Sequence, residues 1–347
     1  MLRKNFDFLR NARPTVLVYA DGRELLVFRT FLQSAGVSKR GFRHAEPERL
    51  GVPVFFDFRA GFWYTECGDE KMSKADLLYI ETCKKILSEG VWDTDRSVRP
   101  RWEDGTPAHT IKTFGVVNRY DLHEEFPIMT LRRTYYRSCI DELLWIWQKK
   151  SNRVADLHSH IWDSWAREDG TIGKAYGYQL GVKHRYPEGE FDQVDRVLFD
   201  LKNNPASRRI MTNLYNFADL SEMALYPCAY SMTFNVSGNT LNAILNQRSQ
   251  DMLTANNWNV TQYAVLVHML AQVSGLEAGA LVHVIADCHI YDRHVPLVEK
   301  LLEREPLEAP KFYVNQDVKD FYDFTVDDFR FENYRWHEFS DRIPVAI

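Results

Sequence analysis

Three stretches of the chain carry apolar residues at helical spacing. Leu77, Ile80, Cys83 and Leu87 fall on one face of a run that starts at Ser73 and stops at Gly90. Ser73, with Asp76 three residues on, supplies a capping start. A second helix is expected from about Tyr136 to Gln148, with Leu143, Leu144 and Trp147 inward. A third runs from Thr261 to Ser274, with Tyr263, Leu266, Leu270 and Val273 inward and Gly275 as its stop. Between them the period changes to two. Ser231 to Val236 and Leu241 to Leu245 flank Ser237-Gly238-Asn239 and predict a β-hairpin. Arg209 to Leu214 and Ala280 to Ile285 read as further strands, the second fully buried.

The first 72 residues form a separate piece. Thr15 to Tyr19 is a β-branched apolar run, Glu24 to Ser34 a short helix, and Val52 to Phe58 and Phe62 to Thr65 a strand pair around Arg59-Ala60-Gly61. The pattern predicts a small α/β extension (residues 1–72) with no catalytic constellation, or else a partner or regulatory module, followed by one large body (residues 73–347) that holds both helices and strands.

Composition narrows the class. Of 347 residues, 45% are hydrophobic and 26% charged, which is the balance of a globular protein. A formal net charge of -5 argues against a general nucleic-acid field. No apolar run is long enough to span a bilayer, and the N-terminus lacks the apolar core of a signal peptide. Five scattered cysteines without a Cys-x-x-Cys pair suit free thiols in a reducing, cytoplasmic setting. His289, Asp292 and His294 lie close together but fit no standard metal spacing, so no metal is expected.

The chemistry gathers between Ala224 and Asn259. Cys228 follows Pro227 and precedes an alternating strand, so its thiol sits at a fixed strand start. Arg248-Ser249 offers a guanidinium fork and a hydroxyl, a pair suited to phosphate or carboxylate. Asn259 offers a donor and an acceptor side by side, as the edge of a base requires. Elsewhere two readings stand next to each other. The polar run from Arg96 to Thr110 is a surface loop or an anion clamp. Glu142 is a surface carboxylate or a buried one that must be paired or protonated. Trp162 and Trp165 are core or the wall of a flat ligand site. Arg208-Arg209 by itself reads as surface charge, its two side chains on opposite strand faces. His289 and Tyr291, two apart on an extended segment, share a face.

Pro227-Cys228, Gln247-Arg248-Ser249-x-Asp251, Trp258-Asn259-Val260 and Asp287-Cys288-His289-Ile290-Tyr291 together resemble the ordered signature of the thymidylate synthase family. From Ser73 to Ile347 the resemblance is nearly continuous, and it implies an α+β fold there, a mixed β-sheet layered with helices. It implies a pyrimidine nucleotide monophosphate as substrate, 5,10-methylenetetrahydrofolate as co-substrate, and reductive methylation of dUMP to dTMP through a covalent Cys228 adduct. It implies that Arg99, Arg248 and Ser249 hold the phosphate, and that Arg208 and Arg209 reach the phosphate of the partner subunit in a homodimer. It assigns Asn259 to the pyrimidine edge, His289 and Tyr291 to the sugar hydroxyl, and Tyr176 and Glu142 to proton movement. Asp251, Trp162, Trp165, Arg132 and Ala346 would contact the folate, over which the tail from Phe321 to Ile347 closes. Arg248 is expected to lower the thiol pKa of Cys228.

The chain departs from the family pattern at Ala229, Thr233, Thr254-Ala255-Asn256-Asn257 and Ala286. These departures keep a pyrimidine nucleotide 5-hydroxymethylase as an alternative, with water in place of hydride. An aspartate stands at position 259 in cytosine-specific relatives, which favours uracil here. A non-catalytic nucleotide- or RNA-binding protein on this fold is a third reading, opposed by the intact Cys228 and phosphate ligands.

Overall fold

The computed structural model describes residues 16–20, 23–27, 54–57, 62–65 and 72–347. The chain divides into two units, Met1–Glu70 and Lys71–Ile347. In the first, β1 (Val16–Ala20) pairs antiparallel with β2 (Arg23–Val27), and β3 (Val54–Asp57) with β4 (Phe62–Thr65). The strand β2 replaces the start of the helix expected over Glu24 to Ser34; the remainder of that span lies outside the described residues.

The second unit is built on a six-stranded sheet. Its strands are β5 (Val91–Trp92), β6 (Thr110–Asp121), β9 (Met211–Asn213), β10 (Ala229–Ser237), β11 (Thr240–Asp251) and β12 (Glu277–Tyr291). Their order across the sheet is β5-β6-β12-β11-β10-β9. The expected hairpin is β10–β11, with Ser237 opposite Thr240 and Gly238 at a φ of 62° in the turn. Only β11 and β12 run parallel, so they need a crossover, and helix α5 (Asn256–Val273) supplies it. The sheet alternates cleanly. Thr212, Met232, Leu245, His283 and Asn118 are opposite one another across five strands and all are buried. The next row, Met211, Thr233, Ile244, Val282 and Arg119, is partly or fully exposed. Against the buried face pack α5 and α2 (Tyr136–Trp147), around Trp145, Trp147, Phe234 and Leu266. A second cluster around Cys83, Ile111, Met252, Cys288 and Ile290 sits under α1 (Lys74–Glu89).

Helix α1 starts and stops where expected, but its buried face is rotated. Ala75, Asp76, Tyr79, Thr82, Cys83 and Ile86 are inside, while Leu77 is 42% exposed and Ile80 and Leu87 lie at the margin. The reason is a polar anchor. The Asp76 carboxylate leaves the cap and accepts from Thr130 N (3.0 Å) and Thr130 Oγ1 (2.5 Å). Only the Ser73 half of the cap forms, its hydroxyl accepting from Asp76 N (3.3 Å).

Two elements begin or end outside their expected bounds. Helix α5 starts at Asn256, five residues before Thr261, and so carries Trp258 and Asn259 in its first turns. Asp251 prepares that start, accepting from Leu253 N (2.9 Å) and Thr254 Oγ1 (2.5 Å). Strand β12 continues past Ile285 to Tyr291, which brings Asp287, His289 and Tyr291 into the sheet. The strand after Arg208-Arg209 is shorter than expected. It begins at Met211, so both arginines stand exposed on the preceding turn rather than on opposite strand faces. The tail does not fray. Ile347 N donates to Arg101 O (3.0 Å) and Arg101 N to Ile347 O (2.8 Å). Within the tail, β14 (Phe329–Glu332) pairs with β13 (Lys311–Val314). No helix among the described residues is long and apolar enough to cross a membrane.

Candidate active site

Cys228 lies between Pro227 and β10, next to a bulge between Ala229 and Ser231. Its backbone is pinned twice: its carbonyl accepts from Arg248 N (2.9 Å) and its N–H donates to the Tyr176 hydroxyl (3.3 Å). The Arg248 guanidinium donates to Pro227 O (3.0 Å) and Tyr226 O (2.7 Å), which leaves Nη2 3.7 Å from the sulfur. Burial pushes the thiol up; Arg248 and Arg99 pull it down, but burial wins and the net shift is upward. The expected lowering by Arg248 is therefore present as a component and outweighed.

Tyr176 has a φ of 46°, the left-handed region that a tyrosine avoids. Such a residue costs roughly 1–3 kcal/mol and persists where its surroundings fix it. Here Gly177 follows, opening the short helix α3 (Gly177–Gly181); a Cβ on it would meet Ser151 O at 2.4 Å. The close approach fixes the turn that aims the Tyr176 hydroxyl at Cys228.

Behind Tyr176 stands Glu142 on α2, and it is buried. Its carboxylate accepts from Trp162 Nε1, Trp258 Nε1 and Gln262 Nε2, each at 2.5 Å. Burial raises its pKa against these three donors, so it takes up a proton more readily than an ordinary glutamate. Trp162 belongs to the core and also faces the site, its ring 5.1 Å from Tyr176; Trp165 is half-buried, 5.6 Å from Trp162.

The parallel pairing of β11 and β12 places Ser249 opposite Asp287 and Asp251 opposite His289. His289 Nδ1 is 2.7 Å from Asp287 Oδ1, and its ring is 5.2 Å from Tyr291, as two-residue spacing on a strand requires. Burial would raise the Asp251 carboxyl, but His294, His289 and Thr254 bring it down to about 2. His294 lies 3.5 Å from Asp251 and its Nε2–H donates to Pro344 O (2.8 Å), so it ties the tail to the end of β11. Arg132 donates to Asn257 Oδ1 (3.1 Å) and Leu253 O, at the junction of β11 and α5; Ala346 is half-buried in the tail.

Asn259 Oδ1 accepts from Gln247 Nε2 (3.0 Å), whose Oε1 is 2.8 Å from His283 Nε2. Gln247 is opposite Ala229, the first residue of β10, so Asn259 stands beside the strand that follows Cys228. Arg99 is exposed on its loop and near enough to Cys228 and Tyr291 to bias both ionisations. The side chains of Arg99, Arg208 and Arg209 make no hydrogen bond or ion pair among the described residues. Within one chain Arg208 and Arg209 are set apart from this cluster, on the edge turn before β9. His289, Asp292 and His294 each face a different partner, Asp292 accepting from Trp102 Nε1 (3.0 Å).

Gln262 and His283 escaped the sequence reading, as did the carboxylate-contacting roles of Trp258, His294 and Thr254. One signal was available: Trp258 and Gln262 are four apart, hence on one helix face.

A family model described as thymidylate synthase matches residues 77–347. Thymidylate synthase 1 of Bacillus subtilis (strain 168) is 48% identical over 269 residues, 76% of this chain and 96% of the relative. Thymidylate synthase of Bacillus phage phi3T is also 48% identical, over the same shares of each chain. Among solved structures, the thermostable thymidylate synthase A from Bacillus subtilis superposes with a TM-score of 0.75 at 45% identity, covering 78% of this chain and 99% of that one. The chain belongs to the thymidylate synthase family.

Proposed function

We propose that this chain catalyses the reductive methylation of dUMP to dTMP, with 5,10-methylenetetrahydrofolate supplying both the carbon and the hydride. The observation that carries the reading is the pinned Cys228, with Arg248 at its sulfur and the Tyr176 hydroxyl at its backbone. The Cys228 thiolate adds to C6 of the uracil and makes C5 an enolate carbon nucleophile. C5 attacks the methylene of the folate; the new carbon–carbon bond replaces the methylene's bond to N10, and that nitrogen takes up a proton. Asn259 holds the uracil edge where charge develops. Tyr176, backed by Glu142 and water, takes the proton from C5. The folate then leaves and returns a hydride to the exocyclic methylene; the sulfur departs from C6, leaving dTMP and dihydrofolate.

Phosphate binding by Arg99, Arg248 and Ser249 supplies remote binding energy for positioning. Asp251, Trp162, Trp165, Arg132 and Ala346 are assigned to the folate side. Arg208 and Arg209 serve the site of a second copy in a homodimer. Two features support that assembly: both arginines are exposed, and no element of residues 72–347 covers the sheet face bearing Met211, Ile244 and Val282. Four described cysteines, Cys83, Cys139, Cys228 and Cys288, are free, in keeping with a cytoplasmic enzyme. Residues 1–72 are an extension to the catalytic body at 73–347.

The test supplies purified protein with dUMP and the folate and reads product mass together with dihydrofolate. Methyl gain with dihydrofolate is expected. A hydroxymethyl product without dihydrofolate overturns the reductive step. Cys228→Ser should still bind dUMP while losing turnover by roughly four orders of magnitude or more, as removal of an enzyme nucleophile does.

A further inference from the structure

His283 sits in the buried row of the sheet, opposite Leu245 and Asn118, and is fully buried. Its Nε2 faces Gln247 Oε1 at 2.8 Å; its Nδ1 is buried without a partner. Burial pushes its pKa down to about 3, so the ring is neutral near pH 7 and carries one proton. The two tautomers differ in energy. A proton on Nδ1 would bury an orphan N–H, which costs more than leaving a lone pair unmatched. A proton on Nε2 makes a hydrogen bond to Gln247.

The next link has its own anchor. Gln247 Nε2 also lies 3.1 Å from Ser249 O, a backbone carbonyl that can only accept. Two independent neighbours, His283 and Ser249, therefore fix the Gln247 amide the same way round. Its Nε2 donates to Asn259, so the contacted Asn259 atom must be Oδ1. The remaining Nδ2 then turns its donors toward the ligand.

We propose that His283, as the Nε2–H tautomer, is a positioning residue that fixes the polarity of the Asn259 amide and so makes the site prefer a 4-oxo to a 4-amino pyrimidine. The inference rests on Asn259 facing the pyrimidine edge. A free asparagine amide can rotate to present either pattern; this one is locked by a chain that ends in the sheet core. A uracil O4 accepts from Nδ2, whereas a cytosine amino group would set donor against donor.

Histidine-selective nitrogen NMR on the wild-type protein reads the tautomer without any ligand, and a proton on Nε2 is expected. Titration with dUMP and dCMP then compares His283→Leu with His283→Gln, whose amide nitrogen reaches the Nε2 position. His283→Leu should lower the dUMP-to-dCMP affinity ratio about tenfold, the scale of one mispaired buried donor. His283→Gln should restore it. A proton on Nδ1 overturns the proposal, as does a leucine variant that keeps the wild-type ratio or weakens both nucleotides equally. Wild-type protein that binds neither nucleotide overturns the assignment of Asn259 instead, and the tautomer measurement still judges the chain from His283 to Asn259.

Discussion

At the proposed base end of the site, polar groups are gripped by neighbours that belong to the core. Glu142 receives three N–H donors, Asn259 is held through Gln247 by His283, and Tyr176 is fixed by a turn that only Gly177 permits. Of the arginines proposed for the phosphate, Arg99, Arg208 and Arg209 are exposed and make no side-chain bonds among the described residues, whereas Arg248 is held by Pro227 O and Tyr226 O. The difference follows the chemistry each end must do. Charge that develops only in a transition state is best met by groups already in place. A phosphate carries its charge from the start, so flexible guanidinium groups can close on it after binding.

Glu142→Gln should break the base end most severely. Proton movement by a positioned carboxyl contributes roughly 10²–10⁴-fold, so kcat should fall by that order while nucleotide affinity changes little. The substitution also sets an amide N–H₂ against indole donors, so melting should show a stability loss of about 1–3 kcal/mol. Unchanged kcat would mean that the Glu142 network is only structural.

Arg99→Ala tests the opposite end. A hydrogen bond to a charged group contributes about 1.5–3 kcal/mol, so KM for the nucleotide should rise roughly 10- to 100-fold with kcat largely kept. An equal fall in kcat would place Arg99 with the preorganised groups and erase the contrast.

The smallest effect is expected at His294, which belongs to neither end. Burial opposes its charge, but Asp251 and Pro344 O outweigh burial and raise its pKa above 6.5. A raised folded pKa gives stability that is present below the unfolded value and lost as pH rises through the folded one. His294→Gln should therefore destabilise the fold most under mildly acidic conditions, by about 1 kcal/mol, and converge with wild type in alkali, as melting followed across pH would read. A constant difference across pH would show that the protonated ring does not hold the tail.

Local signals made part of this molecule readable. The hairpin around Gly238 and the stop at Gly275 depend on a few adjacent residues, and both lie where expected. The buried face of α1 was misread because Asp76 and Thr82 face inward for hydrogen bonds that apolar periodicity ignores. The first turn of α5 has no side-chain cap and reads as polar loop, and the end of β12 carries charge because it lines a site. Cys228, Arg248 and Asn259 were recognisable through motif spacing. His283, Gln262 and His294 were not, because each partner is at least 36 residues away, as Gln247 is from His283.

The parallel pairing of β11 with β12 also bears on when the site comes into being. The β10–β11 hairpin can close early, since its strands are joined by a two-residue turn. Ser249 meets Asp287 and Asp251 meets His289 only after α5 has crossed over and docked. Pairings across long loops form slowly, because closure entropy is lost before contacts reward it. On this topology the β10–β11 hairpin is expected to form before β11 and β12 pair. A newly made chain can look folded by its helices before it can hold a nucleotide.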